Sequence, residues 1–362
     1  MSIPLLVAKA YLKAARPGNR TAGRKSRSRI GATAYDRRRM STALLLATLL
    51  AEAPAAVAPP PREIAPGVEL LPGAMLPERG PDGNTVVFDA PEGLVVVDTG
   101  RHAWHSDAIL AFAKSRGRPV AAIVNTHWHL DHSSGNGRLR AAYPDAPVYA
   151  TSAVDRALGE GGFLARNLEA AKPMLDDPQR GDVEKEEIRI FVATMAGRDA
   201  LRPQVVVSEP GKTPLAGKEF DVRLTHGAVT DADLWLYDAA SGVAVLGDLV
   251  TFPAPFFETA CPADWRRALD EVRSVPFRKA IPGHGEPMNP AQFDAWRLAF
   301  GAFMDCVEGT AEAGQCATAW ADGIASFTAG DDRAGRAARG YAEYYAGFLR
   351  ANGGKSADCL AR

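Results

Sequence analysis

The sequence lacks the features that mark several large classes of protein. No apolar run approaches the roughly 20 residues of a transmembrane helix, and no internal repeat is visible. No single residue type dominates the 362 residues, of which 46% are hydrophobic and 23% charged. Collagen-like, coiled-coil and disordered chains are therefore excluded. A chain of this length accommodates one large domain, alone or with an appendage.

Net charge is nearly absent as well, at -1 from 42 Lys and Arg and 43 Asp and Glu. The charges are unevenly placed. Residues 1–40 hold eleven Lys or Arg and one acidic residue, so residues 41–362 have a net charge of -11. Nucleic-acid binding needs clustered cations that neutralise phosphates. The acidic body of the chain argues against a nucleic-acid partner, and we expect a small-molecule substrate. The oligomeric state stays open.

The basic N-terminus leads into a short apolar segment. Arg37–Arg39 precedes the apolar run Ala43–Leu50, and Ala-x-Ala sites follow within 51–58. This order is typical of a secretory signal peptide, and the paired arginines also suit a twin-arginine signal. We predict that residues 1–58 are a basic leader with a signal peptide and that the mature protein is exported, to the periplasm or outside the cell. The alternative is a disordered basic segment with a chance apolar run.

Cysteine is scarce, and none stands in a CxxC pair or beside the clustered histidines. The four cysteines all lie in the C-terminal third: Cys261, Cys306, Cys316 and Cys359. An even number in an exported chain fits two disulfides. Of three possible pairings we favour Cys306–Cys316, which closes a short loop, with Cys261–Cys359 tying the tail to the body. Four buried reduced thiols are the alternative.

Short β-branched runs alternate with helical stretches after a proline-rich linker at 59–65. Strands are predicted at 67–71, 85–89, 93–98, 120–126, 147–150, 220–225, 233–238, 243–247 and 278–282, and helices at 105–116 and 264–273. Residues 152–200 are polar and helical, which predicts an insertion, and residues 291–362 predict a helical extension. The order predicts an α+β fold with two sheets covered by helices.

Three of the seven histidines fall within six residues, in the segment His127-Trp128-His129-Leu130-Asp131-His132. A predicted strand leads into this segment. Alternate side chains of an extended segment share one face, so we expect His127, His129 and Asp131 to converge, with a turn at 133–135 redirecting the chain after His132. Imidazole with carboxylate suits zinc, iron or manganese, and the lack of thiolates argues against a purely structural zinc site.

Four further polar residues follow predicted strands. Asp98, His226 and Asp248 each stand at a strand end, and His284 lies in the sequence Ile-Pro-Gly-His-Gly. Side chains at strand ends gather readily into one site.

This order of elements resembles the metallo-β-lactamase superfamily over about residues 66–290. The resemblance implies an αββα four-layer sandwich as the catalytic domain and a site for two Zn²⁺ ions, with iron or manganese as alternatives. The implied ligands are His127, His129 and His226 for the first metal, Asp131, His132 and His284 for the second, and Asp248 between them. The resemblance also implies that Asp98 orients the histidine-rich segment. His102 and His105 match no ligand position, and we expect them to face solvent at a helix start.

A two-metal site predicts hydrolysis by a hydroxide that the metals make available near neutral pH. Asp131 is placed to orient that nucleophile or to carry a proton to the leaving group. Ser133 and Ser134 have no free base beside them, and we interpret them as turn and capping residues.

The resemblance narrows the substrate to an ester, thioester, lactone or amide. Metallo-β-lactamases usually carry Cys or Ser where this chain has Asp248, and the sequence at 225–234 departs from the GHTxG pattern of glyoxalase II. The sequence at 261–265 and the leader are similar to zinc metallohydrolases grouped with quinoprotein relay systems. A lactam hydrolase, a mononuclear iron persulfide dioxygenase and a non-catalytic binding protein stay as alternatives. We expect the insertion at 152–200 to border the pocket, or to pack against the sheet or a second subunit.

Overall fold

Two β-sheets form the centre of residues 58–359, the part of the chain that the computed structural model describes. The predicted signal peptide therefore lies outside the described residues. The strands of the first sheet, in spatial order, are β1 (Arg62–Ala65), β2 (Val68–Leu71), β3 (Thr85–Ala90), β4 (Gly93–Val97), β5 (Val120–Val124), β6 (Val148–Ala150) and β7 (Val205–Val206). The second sheet has the order β12 (Lys279–Pro282), β11 (Val243–Gly247), β10 (Ala232–Asp238), β9 (Lys218–His226) and β8 (Gly211–Leu215).

Helices cover the outer face of each sheet and one rim. They are α1 (Ala103–Arg116), α2 (Leu130–Ser133), α3 (Asn136–Ala142), α4 (Ala153–Leu158), α5 (Phe163–Ala171), α6 (Asp182–Ala196), α7 (Pro262–Arg273), α8 (Pro290–Glu308), α9 (Ala313–Gly323), α10 (Ala325–Thr328) and α11 (Asp332–Ala351). Two 3₁₀ turns lie at Lys172–Asp176 and Arg198–Leu201. Among the residues from 58 to 359, no helix is both long and apolar enough to cross a membrane.

The alternation of side chains in β4 shows how the layers form. All five residues of this strand are buried. Val95 and Val97 contact the core between the two sheets, whereas Leu94 and Val96 pack with helix α1 on the outer face. A strand with apolar residues on both faces belongs in the middle of a layered structure. The result is the expected α+β fold, with the order helix, sheet, sheet, helix.

The C-terminal helices are part of the outer layer of the second sheet. Aromatic side chains from α8, α9 and α11 share one apolar core with Trp235 and Leu246 of the sheet. The aromatic side chains in this core include Phe293, Trp296, Phe300, Trp320 and Tyr345. The helices after residue 290 therefore pack directly on the second sheet and form part of its outer layer.

All nine predicted strands are present, with ends that shift by at most two residues, and three further strands were not predicted. The segment 59–65, expected to be a linker, contains β1, which pairs antiparallel with β2. The other two are the two-residue strand β7 and the strand β8, whose sequence has little β-branched character; they pair with β6 and β9. Residues 152–200 are helical as predicted.

Both favoured disulfides are confirmed. Cys261 and Cys359 have Cα atoms 5.2 Å apart across 98 residues, and Cys306 and Cys316 have Cα atoms 5.5 Å apart across 10 residues. The first ties the end of the described chain to the start of α7, and the second joins α8 to α9.

The two bridges are expected to stabilise the fold unequally. A cross-link lowers the entropy of the unfolded chain more when it closes a longer loop. The resulting stabilisation of the folded state is about 4.7 kcal/mol for the long loop and about 2.7 kcal/mol for the short one. The paired replacement Cys261→Ser and Cys359→Ser should therefore lower the free energy of unfolding more than Cys306→Ser and Cys316→Ser. Urea unfolding of the two variants measures the difference, and equal losses would contradict the entropic account.

Candidate metal centre

The candidate ligands converge at one rim of the sandwich. Asp98 directly follows β4, Asp248 directly follows β11, and His284 comes two residues after β12. Since β4 runs parallel to β5, and β11 to β12, the carboxyl ends of these strands open on the same edge of each sheet. The fold therefore collects side chains that are far apart in the sequence.

The histidine-rich segment is not extended, contrary to the sequence prediction. Strand β5 ends at Val124, and residues 130–133 form the single helical turn α2. Asp131 and His132 project from this turn. The helix thus begins before Ser133, whose hydroxyl donates to the carbonyls of Trp128 and His129, rather than after a turn at 133–135.

Four possible ligand atoms lie together at the rim, three of them on buried residues and one on the partly buried Asp131. The Nε2 atom of His284 is 3.0 Å from Asp131 Oδ2 and 3.3 Å from His132 Nε2. His132 Nε2 is 3.7 Å from Asp131 Oδ2 and 3.3 Å from Asp248 Oδ1. Asp248 Oδ1 is in turn 3.6 Å from His284 Nε2.

These separations fit tetrahedral zinc. Zinc–nitrogen and zinc–oxygen bonds of about 2.0–2.1 Å put the ligand atoms of a tetrahedron about 3.3–3.4 Å apart. The observed distances, from 3.0 to 3.7 Å, bracket that value. Asp131, His132 and His284 form one group of possible ligands, and Asp248 Oδ1 lies 3.3 Å and 3.6 Å from the Nε2 atoms of the two histidines. We name these four residues the four-ligand set.

A second donor group lies next to the first and shares two of its members. His127, His132 and Asp248 have ligand atoms within 4.8 Å of one another. His127 Nε2 lies 3.9 Å from Asp248 Oδ2 and is buried without a hydrogen bond inside the described part of the chain. Unpaired buried polar atoms are costly unless a ligand or water satisfies them. We name the place in front of His127 Nε2 the His127 position.

His129 lies beside His127, with ring centroids 4.5 Å apart. The Thr259 hydroxyl donates to the carbonyl of Val229 at 2.8 Å and lies 3.0 Å from His129 Nε2. Since this hydroxyl has one hydrogen, it accepts from His129 Nε2–H. His129 is thereby left with a lone pair on Nδ1. No local pattern indicated that Thr259 takes part, because it is 130 residues away from His129.

His226 is not brought to the other candidate ligands. It is the last residue of β9, pairs with Ala232 across the ladder, and its side chain is exposed. Neither group of possible ligands among the described residues contains it.

Asp98 contacts His132 through the ring nitrogen that faces away from the other candidate ligands. Its Oδ2 lies 2.8 Å from His132 Nδ1 and accepts from the Thr126 hydroxyl, and its Oδ1 accepts from the Thr126 backbone N–H. A carboxylate on the far nitrogen of a histidine fixes the ring and directs Nε2 toward a metal. Asp98 also has a left-handed backbone, with φ of 61°.

Two glycines allow the close approach of chain segments around the site. A Cβ at residue 283 would overlap Asp248 Oδ1, and a Cβ at residue 83 would overlap the His132 ring. Only glycine fits at such close approach. The backbone at 83 also donates to the carbonyl of Asp131 at 2.9 Å.

The electrostatics of the site favour charged carboxylates, and these carboxylates outweigh burial and raise the pKa values of His132 and His284 above 6.5. Burial raises the pKa of Asp248, but the neighbouring His284 and His132 outweigh burial and hold that pKa below its ordinary value. The pKa of Asp131 is lowered in the same way, mainly by His132. Burial lowers the pKa of His129 to about 4. Metal ligands need deprotonated side chains, so an ion bound here would displace the protons that the carboxylates favour on His132 and His284.

A cavity of about 300 Å³ opens on the site. His129, Asp131, Asp248 and His284 contribute to its lining. Its apolar lining includes Trp128, Phe163, Leu164, Phe191, Phe256 and Tyr345. Helices α5 and α6 of the insertion supply part of this wall, and Phe256 lies edge-on to His129 with ring centroids 5.2 Å apart. The insertion therefore borders the pocket, as one of the two sequence hypotheses had it.

His102 and His105 are both buried, which corrects the expectation that they face solvent. His102 Nδ1 lies 2.8 Å from Asp82 Oδ2, and its Nε2 lies 3.0 Å from Glu187 Oε1. His105 Nε2 lies 2.8 Å from the hydroxyl of Thr85. The partners of His102 are 20 and 85 residues away, so the local sequence could not indicate them. Through His102, Glu187 of α6 is joined to Asp82 in the loop between β2 and β3. Met75 and Pro81 of this loop line the cavity.

Comparison with known proteins identifies the fold family. The family model described as the metallo-beta-lactamase superfamily matches residues 79–284, more than half of the chain. The chain belongs to this superfamily. Its four-ligand set lies inside the matched span.

Individual curated proteins are similar over parts of the chain. A linear primary-alkylsulfatase of Pseudomonas sp. (strain ATCC 19151) is 24% identical over 219 residues, or 56% of this chain and 41% of that relative. A hydroxyacylglutathione hydrolase of Synechococcus sp. is 47% identical over 51 residues, or 14% of this chain and 19% of that relative. The chain thus spans less than half the length of these curated relatives.

Solved structures of the superfamily support the fold. The stereoselective inverting sec-alkylsulfatase of Pseudomonas sp. matches with a TM-score of 0.53 at 18% identity, over 81% of this chain and 51% of that one. A metallo-beta-lactamase family protein of Thermus thermophilus matches with a TM-score of 0.52 at 18% identity, over 80% of this chain and 95% of that one.

Replacing Asp98 by Asn should weaken metal binding without unfolding the protein. Asn tolerates the left-handed backbone of this position, but it removes the charge opposite His132 Nδ1. Loss of such a partner lowers metal affinity by about 10- to 100-fold. Competition with a chromophoric zinc chelator measures the affinity, with the exposed Asp145→Asn as control. Unchanged affinity in Asp98→Asn would contradict the assigned role.

The His102 cluster should give a pH-dependent contribution to stability. Burial lowers the pKa of His102, but Asp82 and Glu187 outweigh burial and raise it above 6.5, and the pKa of Glu187 falls below 4.5. The His102 contribution is complete below pH 6.5 and is lost as the pH rises through the raised pKa; the Glu187 contribution is lost in acid.

The stability difference between wild type and His102→Gln should therefore be largest between pH 4.5 and 6.5. Chemical unfolding across the pH range measures it. A difference that grows above that window would contradict the assignment.

Proposed function

We propose that the protein is a zinc-dependent hydrolase that cleaves an ester, thioester, lactone or amide bond of a small molecule. The observation that carries this proposal is the four-ligand set at the floor of the cavity, with separations that suit tetrahedral zinc. Two metal positions are proposed, the four-ligand set and the His127 position, with Asp248 between them. Iron and manganese are the other metals that these donors suit.

Zinc bound here would supply Lewis acidity and a water molecule with a pKa near 7. Asp131 is the carboxylate best placed to meet that water and the substrate, because its side chain is 17% exposed, against 6% for Asp248 and 2% for Asp98. We propose that Asp131 orients the attacking water or carries a proton to the leaving group. Asp98 acts through His132, which it positions.

Covalent catalysis by a cysteine or by Ser133 finds no support in the described residues. All four cysteines are in disulfides. The Ser133 hydroxyl is committed to two backbone carbonyls. Direct attack by water is therefore the reaction that we propose for the site.

The aromatic wall of the cavity supports a proposal about the polarity of the substrate. Trp128, Phe163 and Phe256 form a continuous aromatic surface, with ring centroids 5.7 Å and 6.4 Å apart along the chain of contacts. We propose an apolar acyl or alkyl group on the substrate. The names of the similar proteins, alkylsulfatases and hydroxyacylglutathione hydrolases, agree with ester and thioester substrates.

Export from the cytoplasm is proposed as well. The two disulfides support an oxidising location.

Hydrolysis should become faster as the substrate's apolar chain grows. Each buried methylene contributes about 0.8 kcal/mol, or up to about fourfold in kcat/KM. Assays of p-nitrophenyl esters from acetyl to decanoyl test this, and Phe163→Ala should flatten the series, whereas Phe112→Ala on the outer helix α1 should not. No dependence on chain length in the wild type would contradict the apolar substrate.

Parallel assays distinguish the other reactions. Turnover of a chromogenic cephalosporin without ester hydrolysis would favour a lactam hydrolase. One iron per chain together with oxygen uptake on persulfides would favour a dioxygenase and overturn the proposed function.

A further inference from the structure

We infer that the two metal positions are unequal, that the four-ligand set binds first, and that His226 belongs to neither. The second ion is held at the His127 position by His127, Asp248 and His129 Nδ1, at least tenfold more weakly. This inference rests on the proposed metal-dependent function. It departs from the ligand set that the family resemblance implies.

The donors of the four-ligand set already lie close together. It presents two imidazole and two carboxylate donors, and each of the separations given above is within 0.4 Å of the value of about 3.3–3.4 Å for a zinc tetrahedron. His132 is held from behind by Asp98 at 2.8 Å. Such a site needs little reorganisation to accept an ion.

The His127 position has a weaker set of donors. His127 Nε2 is 3.9 Å from Asp248 Oδ2, wider than the five separations given above for the four-ligand set. Asp248 has to serve both positions, so its charge is shared. His129 is fixed by Thr259 through Nε2, which leaves Nδ1 as the third donor.

The chain after His226 keeps it from becoming the missing ligand. His226 pairs with Ala232 in the β9–β10 ladder, and the backbone N–H of Gly227 donates to the carbonyl of Asp231. The turn is fixed further by Asp233, whose carboxylate accepts from the backbone N–H groups of Val229 and Thr230. Moving His226 to the metals would break this turn.

Val229 and Thr259 close the side of the His127 position where a further histidine would be needed. Val229 is buried, and its carbonyl accepts from Thr259, which contacts His129. The Cys261 backbone N–H also donates to the carbonyl of Ala228, so residues 228 and 229 are anchored to the segment at 259–261. An aliphatic side chain at 229 supplies no metal ligand.

The test is a zinc titration of the metal-free, full-length protein, with a competing chromophoric chelator and native mass spectrometry as readouts. The wild type should bind one zinc ion tightly and a second at least tenfold more weakly. His226→Ala and His226→Gln should match the wild type in both phases. His127→Ala should lose the weak phase, and His284→Ala the tight one.

Loss of a zinc ion in either His226 variant would overturn the inference, as would two ions bound with equal affinity. Since His226 is exposed, its variants should fold, and circular dichroism checks this. Loss of the tight phase in His127→Ala would contradict the order of binding. A wild type that binds no metal would instead overturn the proposed function itself.

Discussion

The carboxylate of Asp98 joins the end of β4 to the segment that carries the candidate ligands. It accepts two hydrogen bonds from Thr126 and faces His132 Nδ1, all at 2.8 Å. Through these contacts Asp98 sets where the chain leaves β5 and where His132 points. Asp131 comes from the turn α2, and Asp248 and His284 come from the second sheet, so the four-ligand set also depends on the packing of the two sheets.

The layered fold supplies the rigidity that the site needs. Two sheets packed face to face fix the ends of their parallel strands at one rim, and the C-terminal helices and two disulfides brace the second sheet from outside. The insertion is packed around its own apolar cluster, which includes Trp128 and Phe191. A fixed floor of ligands beneath a separate apolar wall suits chemistry at one end of a substrate and recognition at the other.

Much of this arrangement could be predicted from the sequence, because strong local patterns determine it. Runs such as Gly93–Val97 are buried on both faces, so hydrophobicity alone reveals them. The histidine-rich segment and the polar residues at strand ends predicted that the candidate ligands gather into one site. Weakly patterned strands such as Gly211–Leu215 escaped prediction, since they form only by pairing with a neighbour.

His102 and His226 show what a local sequence pattern does not determine. His102 looked like a solvent-facing residue because its partners, Asp82 and Glu187, become neighbours only through folding. His226 stands at a strand end, as a ligand should, but its direction depends on the β9–β10 ladder and on the turn held by Asp233. Neither the register of this ladder nor the conformation of the turn can be predicted from a short sequence motif.

Anomalous X-ray scattering at the zinc absorption edge, from crystals grown with one equivalent of zinc, tests the central claim most directly. We predict one strong peak, about 2.0–2.1 Å from the ligand atoms of Asp131, His132 and His284. A peak elsewhere, or none at this rim, would contradict the assignment of these residues as the metal centre.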